Sequence, residues 1–99
     1  MTVGVEEIND FAENFDLQQN FPNPFNDQTL VQYSIPQSSF VELKVYNLIG
    51  EEIAVLVSQN QKTGTYVVDF KGDKLPSGFY IARLNANGIN KSIKMKLIK

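Results

Sequence analysis

The sequence predicts an all-β domain, built as a sandwich of two antiparallel sheets. From residue 28 onward, apolar residues alternate with polar ones in short runs, which is the pattern of strands that bury one face. Glycine, proline, asparagine and serine separate these runs, and no run carries a helical stripe of useful length. With 99 residues, the chain is long enough for one modest core and too short for two. We therefore expect a single domain.

Two strands joined by a short loop begin the alternating region. The first is predicted at Gln28–Ile35 and the second at residues 40–46. The inward-facing residues are Val31, Tyr33 and Ile35 in the first strand and Val41, Leu43 and Val45 in the second. Pro36 ends the first strand because proline has no N–H group to donate to a neighbouring strand.

The next two strands are predicted at residues 52–57 and 65–70. The first is an almost unbroken apolar run that follows a turn at residues 47–50 and ends at a polar loop, residues 58–64. The inward-facing residues of the second are Tyr66, Val68 and Phe70.

The last two strands, at residues 79–85 and 90–98, are predicted to form a hairpin. Asn87 and Gly88 between them both tolerate the positive φ angle that a type I′ turn requires. In the last strand the inward-facing residues are Ile93, Met95 and Leu97, and the outward-facing ones are Lys94 and Lys96.

A further strand, predicted at residues 15–20, brings the expected number to about seven. Short antiparallel strands of this number are typical of an immunoglobulin-like β-sandwich, which we place at residues 15–99. Residues 1–14 are acidic and have no strand period, so we expect a leader or linker that stands apart from the fold. The residues predicted to be buried together are Val31, Tyr33, Val41, Leu43, Val45, Val68, Phe70, Leu84 and Met95.

The composition excludes several classes of function. Without cysteine the chain forms no disulfide and no thiolate metal site, and without histidine it lacks the usual general base and metal ligand. The remaining residues suggest no catalytic arrangement, so we expect neither an enzyme nor a cofactor or metal site. A net charge of −2 does not favour nucleic acid as a partner. No apolar run is long enough for a membrane-spanning helix, and the first residues do not resemble a signal peptide.

Charge is segregated along the chain. Residues 1–27 contain six acidic residues and no basic one, whereas residues 83–99 contain five basic residues and no acidic one. Four lysines lie on or just after the last predicted strand: Lys91, Lys94, Lys96 and Lys99. Because unpaired ammonium groups are costly to bury, they are expected to face water, an acid or a partner. They either protect an edge strand from aggregation or contribute to recognition.

A proline-rich segment, Pro22, Asn23, Pro24 and Phe25, interrupts the strand pattern. Its prolines fix φ and remove two N–H donors, so the segment is extended or turning and cannot be a central strand. It is interpreted either as a rigid corner between the sheets, with Phe21 and Phe25 as apolar plugs, or as a recognition loop.

Two strands begin with a glycine followed two residues later by a tyrosine. Gly78 and Tyr80 are arranged as in a tyrosine corner, in which the hydroxyl group binds an upstream backbone group. Gly64 and Tyr66 have the same spacing. We expect both tyrosines to stabilise the start of their strands.

The chain resembles a known family over residues 15–99. The motifs that carry the resemblance are, in order, residues 15–26 (FDLQQNFPNPFN), 29–36 (TLVQYSIP), 41–50 (VELKVYNLIG), 75–80 (LPSGFY) and 91–99 (KSIKMKLIK). Together they are similar to the C-terminal sorting domains of the type IX (Por) secretion system, type A. The sequence departs from the family's usual pattern at Asp27, Glu51 and Phe70.

The resemblance implies a non-enzymatic targeting domain of an exported protein from a Bacteroidetes-type bacterium. Its partners would be a covalently attached N-terminal cargo domain, the type IX outer-membrane translocon and a sortase-like processing machinery. The cargo would cross the periplasm and be secreted or remain at the cell surface. The candidate residues for recognition by the translocon are Pro22, Asn23, Pro24, Phe25, Gly78, Tyr80, Lys91, Lys94, Lys96 and Lys99.

Aromatic residues at outward strand positions either form cross-strand pairs on a partly covered face or contact a ligand. Phe40 and Tyr46 lie opposite the inward-facing residues of their strand, and exposed rings stack on sugars or bases. Together with Tyr66 they are candidates for contact with carbohydrate. The alternative to a sorting domain is therefore an accessory carbohydrate-binding or spacer module of an extracellular enzyme.

Overall fold

The computed structural model describes residues 5–9 and 14–99, and every regular element in these residues is a β-strand. In chain order the strands are β1 (Val5–Asn9), β2 (Asp16–Leu17), β3 (Gln28–Ile35), β4 (Ser39–Asn47), β5 (Glu52–Gln61), β6 (Gly64–Lys71), β7 (Gly78–Ala86) and β8 (Ile89–Leu97). They form two antiparallel sheets, with the orders β1-β6-β3-β2 and β5-β4-β7-β8. The prediction of an immunoglobulin-like antiparallel β-sandwich is confirmed. The described part of the chain contains no helix that is long and apolar enough to cross a membrane.

The core lies between the sheets and consists of residues that the strand period places inward. The nine residues predicted to be buried together all belong to one cluster, and each has an exposed fraction of 1% or less. Aromatic stacking joins two neighbouring strands within it, because the ring centroids of Tyr33 and Tyr66 are 5.5 Å apart. The predicted phase of the strands is therefore confirmed.

β5 is longer than the sequence pattern predicts. It continues through residues 58–60, where we expected a loop, and ends at Gln61, which pairs with Ser39 of β4. Gln61 is buried and its Oε1 atom accepts a hydrogen bond of 2.6 Å from the hydroxyl group of Tyr33. Residues 58–60 are exposed at the sheet edge, where backbone pairing needs no apolar side chain. This part of the strand therefore has no hydrophobic period to detect.

The strand predicted at residues 15–20 is shorter than expected. It consists of the two residues Asp16–Leu17, and the chain then returns to the sheet edge at Phe21. Phe21 exchanges two backbone hydrogen bonds of 3.0 Å with Leu30 of β3. Both side chains point to the outer face, and Phe21 is 79% exposed. The expectation that Phe21 plugs the core is therefore wrong.

The predicted leader, residues 1–14, falls partly within the described residues. Its described strand, Val5–Asn9, pairs with β6 and places Val5 opposite Val68. Residues 1–4 and 10–13 lie outside the described part of the chain. The separation of this leader from the domain stays a prediction.

The hairpin between β7 and β8 has the predicted two-residue turn. Asn87 and Gly88 have φ angles of 54° and 77°, as a type I′ turn requires. Ala86 and Ile89 on either side of the turn form the last pair of the ladder. The turn thus sets the register of β8 against β7.

Two tyrosines hold the starts of β6 and β7 in the same way. The Tyr66 hydroxyl group donates a hydrogen bond of 2.7 Å to the carbonyl oxygen of Lys62. The Tyr80 hydroxyl group donates one of the same length to the carbonyl oxygen of Pro76. Each bond spans four residues, and both expected tyrosine ties are confirmed.

Replacing Leu43 with alanine should lower the free energy of unfolding by about 2–5 kcal/mol, because the side chain is fully buried and its loss leaves a cavity. Urea denaturation followed by circular dichroism measures this change. Ser58→Ala on the exposed edge of β5 serves as the control and should change the free energy by less than about 0.5 kcal/mol. Equal midpoints for Leu43→Ala and the unmodified protein would contradict the inward position of Leu43.

Replacing Tyr80 with phenylalanine should lower the free energy of unfolding by about 1 kcal/mol, because the hydrogen bond to Pro76 is lost while the ring remains. The matched control is Tyr46→Phe, since the Tyr46 hydroxyl group has no hydrogen-bond partner among the described residues. If both variants unfold at the same urea concentration, the Tyr80 tie does not contribute to stability.

Candidate functional site

The proline-rich segment lies along the free edge of β8. We call residues 19–25 the strap, because they cross this edge next to the last strand. The Phe25 N–H group donates to the Lys96 carbonyl oxygen (2.8 Å), and the Ile98 N–H group donates to the Phe25 carbonyl oxygen (2.9 Å). Phe25 runs parallel to β8 at this point. The strap thus covers part of an edge that would otherwise be open to pairing.

Two side chains of the strap add to these backbone hydrogen bonds. The Asn23 Oδ1 atom accepts a hydrogen bond of 3.0 Å from the N–H group of Lys96. The Gln19 Nε2 atom donates one of 2.7 Å to the carbonyl oxygen of Lys94. Because alternate residues of an edge strand turn their backbone groups away from the sheet, these bonds satisfy the outward groups of β8 near its end.

The strap is shaped by a buried polar cluster that the sequence analysis missed. The Asn20 Nδ2 atom donates to the Pro22 carbonyl oxygen (3.1 Å) and to Thr29 Oγ1 (3.0 Å). Thr29 Oγ1 donates to the same carbonyl oxygen at 2.8 Å. Asn20 and Thr29 are almost fully buried. The available signal was Thr29 itself, a polar residue at an inward position of β3.

Phe25 anchors the strap in the core, as the sequence predicts. The residue is 1% exposed, and its ring centroid lies 6.0 Å from that of Phe70 in a tilted arrangement. Residues 22–24 before it are exposed, and the peptide bonds before Pro22 and Pro24 are cis. The motif therefore combines one buried anchor with an exposed surface.

Gly78 and Tyr80 lie on β7 beside the same end of β8. Gly78 pairs with Leu97, and Leu97 forms a bridge with Phe25 on its other side. Tyr80 is buried and pairs with Met95. Gly78 has a φ angle of 152°, in a region that side chains rarely adopt. Neither residue offers a large exposed side chain, so both support the arrangement of the strap and β8.

The four lysines are exposed, but they do not form one patch. The Nζ atoms of Lys94 and Lys96 lie 4.4 and 5.6 Å from the ring centroid of Phe79, on the outer face of the second sheet. Lys91 lies elsewhere, with its Nζ atom 5.8 Å from the ring centroid of Phe15. Lys99 Nζ donates a hydrogen bond of 2.6 Å to the carbonyl oxygen of Asp73, in the loop after β6. The candidate lysines therefore have three different surroundings.

The one cation with acidic partners among the described residues is Lys44 on β4. Its Nζ atom lies 3.3 Å from Glu52 and 3.5 Å from Glu42. The hydrogen bond to Glu52 and then the charge of Glu42 raise the pKa of Lys44. In the described part of the chain, no group of three or more His, Cys, Asp or Glu residues is arranged to hold a metal ion.

The open cavities on the described surface away from the strap include two that differ in their relation to the candidate residues. One, of about 580 Å³, lies between β5 and the end of β6 and contains none of the candidate residues. The other, of about 290 Å³, lies between β7 and the turn that follows β4. Its lining includes Tyr46, Leu48, Ile81 and Arg83. Of these residues, only Tyr46 is predicted from the sequence to contact a ligand.

The comparison with known families covers both the strap and β8. Residues 19–99 match the family described as the secretion system C-terminal sorting domain. No curated protein and no solved structure matches the chain. The matched region begins at Gln19, the first residue of the strap, and includes all the residues that hydrogen-bond the strap to β8. The chain therefore belongs to the secretion system C-terminal sorting domains, which are the sorting signals of type IX secretion.

Proposed function

We propose that this domain directs an attached cargo protein across the outer membrane through the type IX translocon, without catalysing a reaction itself. The observation that carries the proposal is the family match over residues 19–99. Sorting signals of this type imply transit through the periplasm to the medium or the cell surface. A sortase-like machinery would then process the cargo.

The recognition surface we propose consists of the exposed part of the strap and the outer side of β8. Residues 22–24 are exposed next to the covered edge, and Lys94 and Lys96 project from the outer face. Phe25 and Tyr80 are buried and act by holding this surface in place. Lys91 and Lys99 flank it at the two ends of the strand.

The alternative, an accessory carbohydrate-binding module, is supported by one exposed ring. Phe40 is 51% exposed at the start of β4. Tyr66 is buried and its hydroxyl group is bound to Lys62, so it does not offer a stacking face. Tyr46 is half-buried beneath Arg83. Retention of the protein on insoluble polysaccharides, lost in Phe40→Ala, would favour this alternative.

A periplasmic reporter fused to the N-terminus of the 99-residue chain should leave a host that has the type IX system. The same fusion should stay in the periplasm of a strain without the translocon, because folding alone does not carry a protein across the outer membrane. Cell fractionation and reporter activity in the medium and at the surface measure the outcome. Equal retention in both strains would contradict the sorting function.

Replacing both Lys94 and Lys96 with glutamine should reduce export of this fusion while changing the free energy of unfolding by less than about 0.5 kcal/mol, because both side chains are exposed. The matched control is the double substitution Lys71→Gln and Lys74→Gln, which removes the same charge elsewhere on the surface. Export is compared by fractionation and stability by urea denaturation. Normal export of the β8 double variant would contradict a role of these lysines in recognition, and protection of the strand edge would remain as their role.

A further inference from the structure

The outer side of β7 and β8 carries a cluster of cations and aromatic rings. Across the two strands, Phe79 pairs with Lys96 and Ile81 with Lys94. Arg83 follows on β7, one outward position beyond Ile81. We call the surface formed by Arg83, Lys94 and Lys96, together with Tyr46 and Phe79, the basic face. Neighbours of this kind on adjacent strands are close enough for their side chains to act on one ligand.

The three cations of the basic face have no acidic partner among the described residues. Lys44, the next cation on the same sheet, shows the contrast, because Glu42 and Glu52 both lie within ion-pair distance of it. Glu42 also lines a small depression together with Lys44 and Arg83, but its ion pair is with Lys44 and not with Arg83. β7 and β8 contain no acidic residue. The basic face therefore has a local excess of positive charge in a chain whose net charge is −2.

Aromatic rings hold these cations on the surface. The Arg83 Cζ atom lies 5.7 Å from the ring centroid of Tyr46. The ammonium groups of Lys94 and Lys96 lie 4.4 and 5.6 Å from the centroid of Phe79. Such contacts orient the side chains but leave their charges exposed to a ligand. Because two ammonium groups share one ring, an anion between them would relieve their repulsion.

A cavity of about 290 Å³ adjoins the guanidinium group and gives the basic face an apolar part. Its lining includes Ile81, Arg83 and Leu48. Leu48 is 61% exposed, and Ile49 beside it on the same turn is 81% exposed. These two side chains form a small exposed apolar area on the turn after β4. An apolar group therefore fits in the cavity next to the Arg83 guanidinium group.

We propose that the basic face binds an acidic peptide segment of a partner protein in which carboxylate and large apolar side chains are neighbours. The carboxylates pair with Arg83, Lys94 and Lys96, and the apolar side chain enters the cavity against Leu48 and Ile81. The excess of unpaired cations selects the acidic charge, and the apolar lining favours a peptide over a purely ionic polyanion. That this peptide belongs to the secretion machinery rests on the proposed sorting function.

The probe is a fluorescein-labelled synthetic peptide in which glutamate and leucine alternate, and its fluorescence anisotropy is measured with the purified 99-residue protein. Arg83→Gln should weaken binding by about fivefold, the size expected for one exposed ion pair. Lys71→Gln, which removes one exposed charge from the other sheet, should leave binding unchanged. Leu48→Ser should weaken binding of this peptide but leave binding of a polyglutamate peptide unchanged. Higher salt should weaken binding of both peptides.

Equal affinity of Arg83→Gln and the unmodified protein would overturn the proposal, as would equal losses for Arg83→Gln and Lys71→Gln. Tighter binding to heparin or to vesicles of anionic phospholipid than to the peptide, unaffected by Leu48→Ser, would assign the surface to polyanions and overturn it as well. Peptide binding is measured on the purified protein and therefore does not depend on export of the fusion. Failure to bind the peptide while the fusion is exported therefore refutes only the acidic-peptide proposal, whereas failed export with intact binding refutes only the sorting function.

Discussion

The hydrogen bonds between the strap and β8 are the constraint on which the candidate surface depends. They connect a segment near the start of the described fold to its last strand, and they do so at an edge that β7 leaves uncovered. Phe25 places the strap by inserting its ring beside Phe70, so the backbone contacts are fixed from inside the core. Without this anchor, the end of β8 would present unpaired N–H and C=O groups to solvent and to other chains. The contacts that protect the edge of β8 are therefore also the contacts that position the candidate surface.

Sequence reasoning identified the parts of this fold that depend on local periodicity. Inward positions such as Leu43 follow from alternation along one strand, and the turn at Asn87 follows from the φ angles that two residues tolerate. The contacts of Gln19 with the backbone of Lys94 join residues far apart in the chain, and no local pattern encodes them. The outward side chain of Phe21 is a further example. The sequence shows that this residue is apolar, but it does not show which face of the sheet the side chain occupies.

The candidate site, like the fold, was predictable where it depends on local sequence patterns and not where it depends on contacts between distant residues. The motifs that contain Phe25 and Tyr80 were evident, but the sequence did not show that these two residues are buried while residues 22–24 are exposed. Nor did it show that Arg83 lies between Lys44 of β4 and Ser92 of β8, because that depends on the order of strands in the sheet. In a β-sandwich, the residues that form one surface site come from different strands. A single sequence therefore shows which residues face outward more readily than which of them are neighbours.

The two-residue turn at Asn87 and Gly88 has a consequence for how chains of this kind can vary in length. Because the turn has only two residues, one inserted or deleted residue in the hairpin would shift β8 by a single position unless a three-residue loop or a β-bulge absorbed it. Since side chains alternate between faces, that shift would exchange Met95 and Leu97 for lysines in the interior. Changes by an even number of residues, and insertions absorbed by a β-bulge, keep each side chain of β8 on its face. Natural length variation is therefore expected in the loops that connect the two sheets, and the hairpin should remain constant in length.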